Sequence, residues 1–299
     1  MGFFCFMVTI SLVYNFVMNR RKPSLPQILL GIFLILGLIL GFALGKYRQS
    51  LVPEETAQDE WKNEMSIDFD KIDRSDGHYS YEDDNYSSLF GIDVSTYQNE
   101  IDWQKVKADG VDFVFIRIGR RGATTGLLYE DDLFETNYAG AKENGLKVGV
   151  YFFSQAISEK EAREEADWVK KHLSGKQIDF PVVYDCEEVV LEDEISRMSE
   201  LGKEEITSNA IAFAQRLSRH RYETIIYTNA YWAEEVYDMD RLTELPIWLA
   251  QYDVDVPVFE HPFFLWQYSD AGEIDGVKGP VDLNIMFIPK EDGHETEAH

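Results

Sequence analysis

Apolar residues follow two patterns along this chain. From 28 to 44 they run without a charge, a length about sufficient to cross a bilayer. From residue 89 onward they alternate between short strand-like runs and helical stripes. The runs 89–95, 112–119, 147–154, 181–187 and 223–228 predict strands. Between two of them, Ser158-Glu159-Lys160-Glu161 predicts a capped helix start and Gly175 its end. Ile206, Ala210, Phe213, Ala214 and Leu217 fall on one face of a further helix. Strand alternating with helix implies parallel strands in an α/β sheet or barrel. After Tyr237 the helical pattern stops, leaving strand-like pieces around 247–251, 263–268 and 281–285.

The apolar run near the start sets the topology. Residues 1–50 contain no Asp or Glu, and Arg20, Arg21 and Lys22 precede the run. Gly45-Lys46-Tyr47-Arg48 follows it in place of a small-residue cleavage site. This predicts an uncleaved signal anchor over 1–48, spanning the membrane at 28–45, with its basic flank in the cytoplasm. An earlier apolar stretch, 3–18, contains Asn15 and reads equally as a first span or as the product of an upstream start, because Met18 opens a natural signal anchor. Either way the C-terminal part lies outside the cell. Residues 49–88 are acidic and weakly patterned, which predicts a solvated extracellular stalk. One domain then fills 89–290, and 291–299 reads as a disordered tail.

Charge and composition narrow the function. The formal net charge is −26, from 28 basic and 54 acidic residues, which argues against a nucleic-acid partner. Cys5 and Cys186 make neither a disulfide framework nor a zinc module, and the six histidines lack ligand spacing. No Gly-rich phosphate loop follows a strand. Neither a metal nor a cofactor is expected.

Carboxylates fall where chemistry can use them. In Val183-Tyr184-Asp185-Cys186-Glu187, strand alternation puts Asp185 and Glu187 on one face with Val183, and Cys186 on the other. Two strand rises separate their Cα atoms by roughly 7 Å. Like charges that close raise one pKa, as the acid of a glycosidase requires. A strand running into a solvated acidic loop would give the same spacing. Asp93 shares a face with Gly91 and Ser95, opposite Phe90, Ile92 and Val94, which suits a group at the C-terminal mouth of a barrel. Asp282 and Asn284 repeat the i, i+2 spacing. Tyr151, Tyr227, Trp248, Tyr252, Trp266 and Tyr268 gather at strand ends, suited to stacking on sugar rings or to packing a core.

In order, the segments Phe90-Gly91-Ile92-Asp93-Val94-Ser95, Asp112 to Arg117, Gly145 to Phe153, Val183 to Glu187, Ile226-Tyr227-Thr228-Asn229, Trp248-Leu249-Ala250-Gln251-Tyr252, Trp266-Gln267-Tyr268 and Val281-Asp282-Leu283-Asn284 resemble family 25 of the glycoside hydrolases, which are lysozymes. The resemblance implies a TIM-like (β/α)5(β)3 barrel, here behind an N-terminal transmembrane anchor. It implies hydrolysis of the β-1,4 bond between N-acetylmuramic acid and N-acetylglucosamine in peptidoglycan. It assigns Glu187 as general acid, with Asp93, Asp185 and Asp282 as surrounding carboxylates. Tyr151, Tyr227, Asn229, Trp248, Tyr252, Trp266, Gln267 and Asn284 are the substrate-binding candidates. Asp185 then either orients the substrate's own acetamido group for retention, or Asp93 or Asp282 activates water for inversion. Many members carry His where this chain has Phe152, a position that parity turns away from the barrel interior. The expected partners are peptidoglycan strands and the membrane, with the enzyme on the wall side of a Gram-positive cell. A tethered wall binder without activity, or a hydrolase of another N-acetylated glycan, are the alternatives.

Overall fold

In the computed structural model, residues 65–290 are described except 76, 192 and 193. The proposed anchor, the first part of the stalk and the tail 291–299 lie outside the described residues. Among the described residues no helix is long and apolar enough to cross a membrane.

Thirteen elements follow the predicted alternation. They are β1 (Tyr86–Val94), α1 (Trp103–Ala108), β2 (Phe113–Arg121), β3 (Leu128–Glu130), α2 (Phe134–Glu143), β4 (Lys147–Ser154), α3 (Glu159–His172), β5 (Val182–Cys186), α4 (Lys203–Ser218), β6 (Thr224–Asn229), β7 (Ile247–Ala250), β8 (Leu265–Gly272) and β9 (Val281–Pro289). The sheet order is β1-β9-β8-β7-β6-β5-β4-β2-β3, and an additional β1–β2 pairing closes the ring. Eight strands therefore form a barrel, and β3 hangs from β2 as an antiparallel flap. Strands β1 to β8 of the ring pair in parallel, while β9 is antiparallel to both its neighbours. Ser158 caps α3 as predicted, accepting from the Glu161 amide, and the predicted stripe of α4 is its buried face. Among the described residues after β6, the helical pieces are a π-helical turn (Trp232–Val236) and a short 3-10 turn (Met239–Arg241). The flap β3 has three residues, too few for any period to register.

Strand alternation sorts the core into two layers. Phe113, Phe115, Phe180, Val183, Trp248, Leu265 and Met286 fill the barrel interior. Ile92, Val114, Ile116, Phe152, Tyr184, Cys186 and Phe213 pack between sheet and helices, so Phe152 and Cys186 face outward as parity required. Two glycines admit the inner phenyl rings. A Cβ at Gly91 would lie 2.3 Å from Phe113 Cζ, and one at Gly149 would lie 2.2 Å from Phe115 Cε1. Aromatic rings thus plug the barrel beneath Asp93.

Residues 65–85 correct the expectation of a free stalk. Phe69 meets Trp266 and Phe287 edge-on, each at 6.1 Å between centroids. Tyr79 stacks on Tyr268 at 3.8 Å, and Ile72 and Tyr81 are buried. Arg74 donates to the Asp255 carbonyl at 2.6 Å. The physical reason is topological: among the described residues β7, β8 and β9 carry no following α-helix, so their outer faces need another cover. This strap supplies it with Phe69, Ile72, Tyr79 and Tyr81, while Asp68, Asp70 and Asp73 face solvent.

Candidate active site

The C-terminal ends of the parallel strands surround a cavity of about 320 Å³, the end where barrels of this kind place their chemistry. Asp93 from β1, Asp185 from β5, Glu187 just beyond β5 and Asp282 from β9 all line it. Tyr151, Tyr227, Trp248, Tyr252 and Gln267 complete much of the wall. The structure therefore brings together all four predicted carboxylates and five of the eight predicted binding residues.

Asp93 is held by two amides. Its Oδ2 accepts from Gln267 Nε2 and from Asn284 Nδ2, both at 2.8 Å. Each amide is itself oriented by an aromatic donor. Tyr227 donates its hydroxyl to Gln267 Oε1 at 2.8 Å, as does Tyr252 at 2.5 Å. Trp248 Nε1 donates to Asn284 Oδ1 at 2.9 Å. Phenols and indole N–H occupy the amide oxygens, so the amide nitrogens must point at Asp93. Asn284 is fully buried behind Asp93 and serves to fix it.

Four acids in one cleft cannot all ionise cheaply. Asp93 and Asp282 stand directly opposite on β1 and β9. Burial, against the pull of the amide donors, raises Asp93 to about 6. Burial, then the charges of Asp93 and Asp270, raises Asp282 to about 9. On β5, burial and then the Glu187 charge push Asp185 well above the usual carboxylate range, and Asp185 Oδ1 is buried without a hydrogen-bond partner. Burial also raises Glu187, with the Asp185 hydrogen bond opposing. The Asp185–Glu187 pair thus retains a proton at a pH where an isolated carboxyl has lost it.

Two predicted binding residues fall elsewhere. Trp266 sits on the outer face of β8, fully buried under the strap, with its Nε1 donating to the Gln251 carbonyl. Parity alone separates it from Gln267, which points inward. Asn229 spends its Oδ1 on the Trp232 amide at 2.9 Å, fixing the π-helical turn after β6. Among the lining residues, Ser95, Tyr97, Gln98, Arg117 and Phe153 were not predicted. Arg117 was legible: it shares the inner face of β2 with Phe113 and Phe115 and is the first charge after four apolar residues. Asp131 binds its guanidinium at 2.8 Å, and the exposed Tyr97 ring lies 5.0 Å away over the cation.

The family model for Glycosyl hydrolases family 25 matches residues 92–277, the span from the first inward acid to the turn before β9. The chain belongs to glycosyl hydrolase family 25. It is 31% identical over 194 residues to the autolytic lysozyme of Clostridium acetobutylicum, covering 65% of this chain and 54% of that enzyme. It therefore spans about half the length of that relative. To Lysozyme M1 of Streptomyces globisporus it is 30% identical over 207 residues, covering 66% of this chain and 67% of that one. A family 25 glycosyl hydrolase from Bacillus anthracis shares the fold, with a TM-score of 0.56 at 23% identity over 71% of this chain and 94% of the other. As a family 25 member the protein is a glycoside hydrolase with a closed eight-stranded barrel.

Proposed function

We propose that this protein is an N-acetylmuramidase that hydrolyses the β-1,4 bond between N-acetylmuramic acid and N-acetylglucosamine in peptidoglycan. One observation carries the reading: a carboxyl pair, buried Asp185 and half-buried Glu187, stands at the end of β5 in a cleft walled by tyrosines and closed below. Family membership and the lysozyme names of the two relatives above support the substrate.

In the proposed reaction, protonated Glu187 gives its proton to the leaving glycosidic oxygen. The substrate's acetamido oxygen attacks the anomeric carbon as that bond breaks, and Asp185 accepts a hydrogen bond from the acetamido N–H. Water then opens the cyclic intermediate and returns its proton to Glu187, with net retention, a recognised variant of the two-carboxylate scheme. Inversion would need a free base across the cleft. Burial and the Asp93 charge raise Asp282 to about 9, which disfavours it as that base and favours substrate assistance. Tyr151, Tyr227 and Tyr252 provide the sugar-contacting walls, and Trp248 and Gln267 the floor. The apolar run 28–44 with its basic flank supports a membrane-tethered enzyme working on the wall side of a Gram-positive cell.

Purified peptidoglycan, incubated with the protein and with Glu187→Gln, tests the proposal through mass spectrometry of the fragments. Muramic-acid reducing ends from wild type alone are the expected result. Sedimentation with the wall but no cleavage by either protein would replace the enzyme with a tethered binder. Products ending in anhydro-muramic acid would replace hydrolysis with transglycosylation.

A further inference from the structure

Glu187 stands one residue beyond its strand. The β4–β5 register ends at Ser154 and Cys186, and after Glu187 the chain enters the long connection to α4. No sheet rung therefore holds the backbone of the proposed acid. A side chain takes over that task. Gln155, fully buried, donates its Nε2 to the Glu187 carbonyl at 2.8 Å and to the Ser154 carbonyl at 2.9 Å. Both amide hydrogens are used, each on a carbonyl oxygen. A flipped amide would face two acceptors with an acceptor, so the orientation is fixed. Gln155 Oε1 is buried with no partner of its own, a cost the fold bears in order to keep the two donors in place.

Gln155 rests on a rigid platform that the chemistry does not otherwise use. Ser154 Oγ donates to Glu165 Oε2 at 2.6 Å, and Arg121 Nε donates to Glu165 Oε1 at 2.7 Å. Both Glu165 and Arg121 are buried. On the other side, Asn209 Nδ2 of α4 donates to the Ala156 carbonyl at 2.8 Å. The residues on either side of Gln155 are thus tied to β2, α3 and α4 at once.

We propose that Gln155 is the positioning residue of the general acid: its side-chain amide adds a rung to the sheet beyond β5 and fixes Glu187 beside Asp185 over the cleft. The inference rests on the assignment of Glu187 as acid. It predicts a rate effect without a binding effect, because Gln155 does not itself line the cleft and reaches it only through the backbone of Glu187. Displacing Glu187 from Asp185 also weakens their mutual repulsion, which lowers the upper pKa of the pair.

The test uses the full-length protein on peptidoglycan with four variants. Gln155→Met keeps the length and removes the donors. Gln155→Asn keeps an amide one methylene short and is read in the same way if the Met variant does not fold. Val169→Ala, in the buried face of α3, is a destabilised control remote from the cleft. Glu187→Gln tests the underlying assignment. The expected result for Gln155→Met is a kcat about tenfold lower, from loss of the hydrogen bond to the Glu187 carbonyl, with KM within about twofold. Its alkaline limb of activity moves to lower pH, and Val169→Ala moves neither quantity. A Gln155→Met enzyme with wild-type kcat and pH profile overturns the inference, as does an equal loss in Val169→Ala. A fully active Glu187→Gln overturns the acid assignment and the inference with it, whereas an inactive Glu187→Gln beside an unimpaired Gln155→Met removes the inference alone.

Discussion

A chain that begins at Asn85, just before the barrel's first strand, would lose the strap. Trp266 and Phe287 are fully buried beneath it, and Tyr268 nearly so. Burying a large apolar side chain stabilises by ~1.5–3 kcal/mol. The truncation strips one side of three such residues and deletes the buried Ile72 and Tyr81 altogether. The loss is then on the order of 5 kcal/mol, comparable with the whole stability of a marginal domain at ~5–15 kcal/mol. At ~2–4 °C per kcal/mol for a domain of this size, the melting midpoint should fall by ~10–20 °C. Thermal unfolding followed by near-ultraviolet circular dichroism measures the midpoint, and binding of an apolar dye at 25 °C reports the uncovered rings. The catalytic cleft is untouched, so kcat at low temperature should survive where the barrel is folded. A truncated chain that melts within ~3 °C of the intact one and binds no more dye would refute the covering role.

Other expectations follow from the same packing and charge. Gly91→Ala should cost at least ~1–3 kcal/mol, because its Cβ meets Phe113, whose ring is backed by Phe115 and Phe180 at 5.9 and 5.5 Å; a Gly91→Ala/Phe113→Leu double variant should recover part of this in a denaturant-melt cycle. Asp282→Asn should stabilise the protein at pH 8 and much less at pH 4. The folded-state pKa of Asp282, about 9, lies above the unfolded ~3.9, so the wild type loses stability as pH rises between those values. Equal shifts of the melting midpoint at both pH values would sink that account. Tyr252→Phe should slow cleavage by severalfold through loss of one donor to Gln267, seen in kcat/KM, while Asn229→Ala should lower stability and leave KM unchanged.

Much of this molecule can be read from one face of each strand. The period-2 alternation at 90–95 and 183–187 placed Asp93, Asp185 and Glu187 in one cavity, because parity in a closed barrel leaves only two directions. The same rule was available for Trp266 and would have sent it outward, since its neighbour Gln267 shares the inner face with Leu265. The aromatic content of that segment outweighed its phase. Asn229 has the right position at a strand end, but a local backbone amide claims its side chain, a competition typical of Asn. The strap escaped notice for a different reason. Its acids are numerous enough to read as a spacer, yet they alternate with Ile67, Phe69 and Ile72, and only the absence of helices after β7 and β8 creates a surface for those residues to cover. Gln155 leaves no mark in the sequence, because its value depends on where another strand happens to stop.

Gly91 and Gly149 look like packing details, yet they decide which way a polymer can meet the acids. By admitting Phe113 and Phe115 to the barrel they make it a cup and not a tube. Nothing can be threaded through the barrel, so whatever meets Glu187 must arrive, and its products must leave, by the same open C-terminal face.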